Sequence, residues 1–184
     1  MKLTLTKRSA EKKSDLTRIR SSGDIPGIIY PSTSKNQAVT VNGADFHAFL
    51  RSLPKGHLPT TIFELHLDGK TDRAVVKGIQ YHPTTYKIQH LDFQILGDRP
   101  LSLKVPVVFV GGGSCVGVKL GGCVHQIIHH VKVRCAPAHI PRHFSLDIQH
   151  LTIGEARRVG EIDFGPHISP LTNRGEIVVI IKKK

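Results

Sequence analysis

The chain has 184 residues, 39% hydrophobic and 5% aromatic, with 26 Lys plus Arg against 14 acids for a net charge of +12. That length suits one large or two small domains, and no apolar run approaches the roughly 18–20 residues that a membrane helix needs. No uninterrupted apolar stretch follows the N-terminus, so no export signal is expected, and Cys115, Cys123 and Cys135 are expected as free thiols in a reducing cytoplasm.

Lys2–Lys7 alternates Leu3 and Leu5 with polar residues and predicts a first strand. Residues 8–24 hold only Leu16 and Ile19 as apolar anchors, so a basic loop is expected, with one helical turn around Asp15–Arg20. Alone, it has little to bury and should be mobile. Lys2, Lys7, Arg8, Lys12, Lys13, Arg18 and Arg20 face only Glu11 and Asp15 within the first twenty positions. A basic excess so concentrated suits a polyanion, whose neutralised phosphates release counterions. The alternative is a solubilising surface.

Pro26–Tyr30 and Ala38–Val41 predict short strands, and Asn42-Gly43 a turn and helix cap. Phe46, Phe49, Leu50 and Leu53 recur at helical spacing, giving a helix over Ala44–Leu53 that Pro54 stops. Thr61–Leu67 and Asp72–Gln80 form a hairpin across Asp68-Gly69-Lys70. The stretch from Ala74 to Phe93 then reads as two strands joined at His82-Pro83-Thr84-Thr85. Strict alternation places Val75, Lys77 and Ile79 opposite Val76, Gly78 and Gln80. It also places Leu91 and Phe93 opposite Ile88, His90 and Asp92. An imidazole and a carboxylate on one face of a small β domain imply a recognition face. Five or six strands with one clear helix are enough for a small closed barrel.

The pattern breaks at Ile95–Pro100, where a domain boundary is expected. Beyond it, Leu101–Val110 predicts a strand whose Pro106 suggests a sheet edge. Val131, Val133 and Cys135 alternate with Lys132 and Arg134 on a half-exposed strand. Ser145–Ile148, a helical turn at Ile153–Arg158 and a closing strand at Glu176–Ile181 follow, with Lys182–Lys184 frayed. The fold class is therefore mainly β: a small N-terminal barrel with one or two short helices, then a β-rich C-terminal domain.

No catalytic or cofactor chemistry emerges. The run GGGSCVGVKLGG over 111–122 lacks both the Gly-Lys-Ser/Thr of a phosphate loop and a Gly-x-Gly-x-x-Gly opening a helix. His125-Gln126-Ile127-Ile128-His129 has Gln126 where a zinc protease needs its general-base glutamate. In the strand that its β-branched surroundings favour, the histidines stand roughly 13 Å apart, too far to share a zinc. Ser114 has no nucleophile elbow. Neither enzyme activity, cofactor nor metal is expected.

Gln80-x-His82-Pro83 with Ile88-x-His90-x-Asp92-Phe93 resembles the bacterial large-subunit ribosomal protein bL25, in its long two-domain form called CTC or TL5. Ile25-Pro26-Gly27-Ile28-Ile29-Tyr30 agrees, as do Val105-Pro106-Val107, Gly117-Val118 and Ala138-His139-Ile140-Pro141, all in the family's order. The resemblance implies a 5S rRNA-binding barrel over residues 1–93 and a C-terminal β domain over 94–184, with the glycine-rich run as a flexible loop. It also implies RNA contacts at Arg8, Lys13, Arg18, Arg20, Tyr30, Lys77, His90 and Asp92. The implied partners are 5S rRNA and neighbouring large-subunit proteins, met as a monomer within the cytoplasmic ribosome, with no membrane. Thr17, Asp15 and Tyr81 depart from the family, which carries an arginine, a small residue and an arginine there. The alternative is a stress-related or chaperone-like β protein that binds proteins and carries a non-specific basic surface.

Overall fold

A computed structural model describes residues 1–8, 13–31 and 35–183, with the backbone alone for Lys13. Lys12 and Lys184 of the basic termini lie outside the described residues. The chain forms two compact units, Met1–Arg99 and Pro100–Lys184.

The first unit runs β1 (Lys2–Lys7), α1 (Lys13–Ser21), β2 (Ile25–Tyr30), β3 (Gln37–Val41), α2 (Gly43–Ser52), β4 (Ile62–Leu67), β5 (Lys70–Tyr81) and β6 (Ile88–Ile95). The strands close into a barrel in the order β1-β3-β2-β6-β5-β4, and the parallel pairing of β1 with β4 completes it. Closure leaves no strand edge open to further pairing. Alternate residues, among them Leu3, Leu5, Val39, Val41, Phe63, Leu65, Leu91 and Phe93, fill the interior. Helix α2 adds a fully buried Phe46, its ring 6.3 Å from that of Phe63. Its start is fixed as the sequence suggested, with the Asn42 side chain accepting from the Asp45 amide at 3.1 Å.

The strict alternation expected for β5 and β6 fails at two bulges. Register shifts between Val76 and Gly78 leave Lys77 without an opposite residue, and a second shift leaves Gln89 unpaired between His90 and Ile88. Each extra residue inverts the parity of the strand beyond it. Ile88 therefore belongs to the core with Leu91 and Phe93, not to the polar face. Likewise Ile79, paired with Leu91, packs on the core, while Gly78 and Gln80 stand beside Asp92 and His90.

The basic segment after β1 holds more structure than one turn. Helix α1 spans nine residues, with Leu16 and Ile19 half-buried. At its end, Gly23 at φ +90 and the Ser21 and Ser22 hydroxyls, bonded to Arg18 O and Ile19 O at 2.8 Å, satisfy the last turn.

The second unit runs β7 (Leu101–Val110), α3 (Val116–Lys119), β8 (Gly122–Gln126), β9 (His130–Cys135), β10 (Phe144–Asp147), β11 (Ala156–Arg158), β12 (Ile168–Pro170) and β13 (Ile177–Lys183). One sheet has the order β10-β7-β9-β12 and the other β11-β13-β8, with Val105, Val131, Val133, Val178, Val179 and Ile181 in one shared core.

Four expectations are corrected here. The strand bearing Pro106 is interior, not an edge. Val107 donates its amide to His129 O, so the nitrogen of the preceding proline faces the other way, toward β10, whose pairing starts only at Val107. Pro106 thus costs no ladder bond. The glycine-rich run is packed rather than loose: α3 lies within it, Cys115 and Gly117 are buried, and a Cβ at Gly117 would stand 2.8 Å from Ile181 Cγ2 and 2.9 Å from Leu151 O. The helical turn expected over Ile153–Arg158 is a strand from Ala156, because Gly154 at φ +92 interrupts a helix and β13 offers a ladder. Lys182 and Lys183 are paired with Cys123 and Gly122, not frayed.

Candidate nucleic-acid interface

Strand β6 lies between β2 and β5, and its outer face carries His90 and Asp92. Directly paired residues project from the same face, so Gly78 stands beside Asp92 and Gln80 beside His90. The absence of a side chain at Gly78 matters, because a Cβ there would come within 3.0 Å of Asp92 Oδ2. Tyr30, at the end of β2, donates its hydroxyl to Asp92 Oδ1 at 3.4 Å. Tyr30, Gly78 and Asp92, with exposed Lys77 on its bulge, line a shallow depression of about 280 Å³.

His90 Nδ1 approaches Asp92 Oδ1 to 3.3 Å, yet the buried Nδ1 lacks an aligned hydrogen-bond partner. Burial lowers the His90 pKa below its usual 6.5, the Asp92 carboxylate opposes that shift, and the Arg8 and Arg20 guanidiniums add to it. At neutral pH the pair is therefore a neutral imidazole beside a carboxylate rather than an ion pair. The carboxylate favours the ring proton on Nδ1, which leaves Nε2 as an acceptor. Burial first, and then Asp92 by charge and hydrogen bond, raise the Tyr30 pKa, so its hydroxyl remains a donor.

Two arginines border this face. Arg8, just past β1, donates from Nε to Val39 O at 3.1 Å, and burial and the charge of Arg20 lower its pKa. Arg20, near the end of α1, donates from Nε to Gln89 O at 3.2 Å. The carbonyl that receives it belongs to the residue that the second bulge leaves without an opposite partner on β5. Irregular backbone in β6 thus anchors a cation that the helix delivers. Among the described residues, each guanidinium is engaged through its Nε.

Of the residues singled out in the sequence, the structure brings Arg8, Arg20, Tyr30, Lys77, His90 and Asp92 to one side of the barrel. Arg18 lies exposed on α1, and the side chain of Lys13 is outside the described residues. His82 has a structural role: its Nδ1 accepts from the Thr84 and Thr85 amides at 3.3 Å and pairs with the Thr84 hydroxyl at 3.0 Å, holding the β5–β6 turn. Sequence reasoning missed Gln89 as the seat of Arg20 and Gly78 as the space beside Asp92. No local pattern marks either one, because both depend on cross-strand register.

The pattern described as the "Ribosomal L25p family" matches residues 3–93, and that of "Ribosomal protein TL5, C-terminal domain" matches 100–184. Proteins named "Large ribosomal subunit protein bL25" align over 185 residues, covering 100% of both chains, at 38% identity in Chlamydia abortus and 37% in Chlamydia caviae. The one from Chlamydia pneumoniae is 35% identical over the same span. This chain belongs to the bL25 family, in its long CTC/TL5 form. bL25 proteins are structural components rather than enzymes. The two family matches fall within the two compact units, so the bL25 barrel and the TL5-type domain each carry their own core.

Proposed function

We propose that this chain is a structural protein of the large ribosomal subunit that binds 5S rRNA through the β2-β6-β5 face of its barrel. The observation that carries this is the meeting of Tyr30, Lys77, His90 and Asp92 on one rigid face bordered by Arg8 and Arg20. Arginines and lysine supply phosphate contacts, which set position without reading sequence. A-form RNA shows 2′-hydroxyls and base edges in a wide, shallow minor groove, and short side chains on a sheet reach them with little loss of side-chain freedom. The Asp92 carboxylate is the selective element. It repels phosphate, but accepts from a guanine amino group or a 2′-hydroxyl, so only an RNA that offers such a donor there meets it without cost.

In this reading Arg8, Lys13, Arg18, Arg20, Tyr30, Lys77, His90 and Asp92 form the contact set. Residues 1–93 are the RNA-binding domain and 94–184 a second domain that meets neighbouring components of the subunit. The protein acts as a monomer in the cytoplasmic ribosome. The test is a gel-shift titration of 5S rRNA with the full chain and with residues 1–99, which hold the whole first unit. Affinities within about tenfold, roughly 1.4 kcal/mol, are expected. A folded fragment that binds more weakly than that removes the barrel as the seat of binding.

A further inference from the structure

The outward face of the four-stranded sheet in the second unit is basic in a way that its own fold does not explain. On β7 the buried residues Leu101, Leu103 and Val105 alternate with exposed Ser102 and Lys104; on β9, buried Val131, Val133 and Cys135 alternate with exposed Lys132 and Arg134. The register sets Lys104 directly opposite Lys132. Arg134 stands between Ser102 on one side and Ser169 of β12 on the other. Because Val107 donates to His129, the Lys104–Lys132 pair is of the non-hydrogen-bonded kind, the one that brings side chains closer.

Like charges directly opposite destabilise a sheet. Among the described residues, the carboxylates that meet a basic side chain are Asp92, beside His90, and Glu161, beside Arg157, so none relieves Lys104, Lys132 or Arg134. Asp147, on the neighbouring β10, is paired with Val110. That is six residues along β7 from Lys104, roughly 20 Å away. Three cations therefore share about two residues' length of sheet with serine hydroxyls between them, and among the described residues no carboxylate answers them.

We infer that this face is a second RNA-binding surface, which takes the backbone of an RNA duplex other than the one on the barrel. An array of ammonium, guanidinium and hydroxyl groups on a broad sheet offers phosphate oxygens charge and 2′-hydroxyls hydrogen-bond partners. Membership of a ribosomal family favours RNA over an acidic peptide as the polyanion. The inference does not depend on how the barrel is used.

The test uses the full-length chain and a variant carrying Lys104→Thr, Lys132→Thr and Arg134→Thr, all exposed positions where threonine suits a strand. A fluorescent RNA duplex of unrelated sequence, about two turns long, is titrated with each protein, alone and preloaded with 5S rRNA, across a salt series. The wild-type chain should bind the duplex in both arms. The variant should bind it at least about tenfold more weakly near 0.1 M salt, with a log–log salt slope flatter by about two to three units. Its affinity for 5S rRNA should be unchanged, and Lys132→Thr alone should raise the melting temperature. If neither protein binds 5S rRNA but the duplex difference persists, the barrel proposal fails and this one stands. Equal duplex binding by the two proteins overturns it, as does displacement of the duplex by polyglutamate as effectively as by competing RNA.

Discussion

Asp92→Asn keeps the shape of the side chain and removes its charge, which separates two opposed effects at the proposed interface. In the free protein the carboxylate sits 3.3 Å from His90 Nδ1 and 3.4 Å from the Tyr30 hydroxyl, and the depression it shares with Lys77 is open to a ligand. A hydrogen bond to a charged acceptor is worth about 1.5–3 kcal/mol and one to a neutral acceptor about 0.5–1.5. If a guanine amino group or a 2′-hydroxyl donates to Asp92 in the complex, the asparagine should weaken 5S rRNA binding by about 1 kcal/mol, roughly fivefold. Against an unrelated duplex, which offers no matched donor, the carboxylate is only repulsive. A phosphate about 8 Å away across water contributes about 0.5 kcal/mol of repulsion, so the same variant of residues 1–99, which lack the second unit's sheet, should bind that duplex about twofold more tightly. This gain should fade as salt shortens the screening length. Fluorescence anisotropy titrations with both RNAs measure the two signs side by side. A variant that tightens on both RNAs alike makes Asp92 a mere surface charge and refutes the reasoning.

Arg18→Ala and Arg20→Ala should each flatten the salt slope of RNA binding by somewhat under one unit. Arg20→Ala should also weaken 5S rRNA binding further at high salt, since it alone gives up the bond to Gln89 O; equal losses at every salt concentration count against that anchoring role. His90 should titrate below 6.5 in NMR spectra of the free chain, moving up in Arg20→Ala and down in Asp92→Asn. A depressed histidine leaves its stability contribution intact above 6.5 and withdraws it as pH falls from there toward the folded value. His90→Gln should therefore flatten the acid side of the stability curve, and a titration at or above 6.5 contradicts the burial argument. Gly117→Ala should cost about 1–3 kcal/mol in urea unfolding through the Ile181 and Leu151 contacts, and a neutral result would mean that the glycine-rich run has room to give. Under native alkylation, exposed Cys123 should react while buried Cys115 and Cys135 stay protected, the latter with its thiol pKa raised by burial; uniform labelling would show that the second unit opens readily.

The sequence by itself determined the fold class, because that rests on local period and punctuation. Leu3 and Leu5, the Phe46–Leu53 spacing and Asn42 before its helix, and the Val131–Cys135 alternation each mark an element within a few residues. Helix α1 was less legible, since two apolar anchors in nine residues give too little period; in the structure Leu16 and Ile19 are half-buried and Arg20 reaches a strand carbonyl. Only the tertiary structure decided the parity of β5 and β6. Bulges at Lys77 and Gln89 arise from how two strands twist together within a closed barrel, and a bulge leaves no mark in a period-2 pattern read from one strand. The same holds for Pro106, which reads as an edge residue until the neighbour on its nitrogen side is known. His90 and Asp92 were named as a pair from spacing alone. Their partners Tyr30, Gly78, Arg8 and the Arg20–Gln89 anchor come from distant stretches of chain, brought together by cross-strand register, which is a property of the whole barrel and of no segment within it.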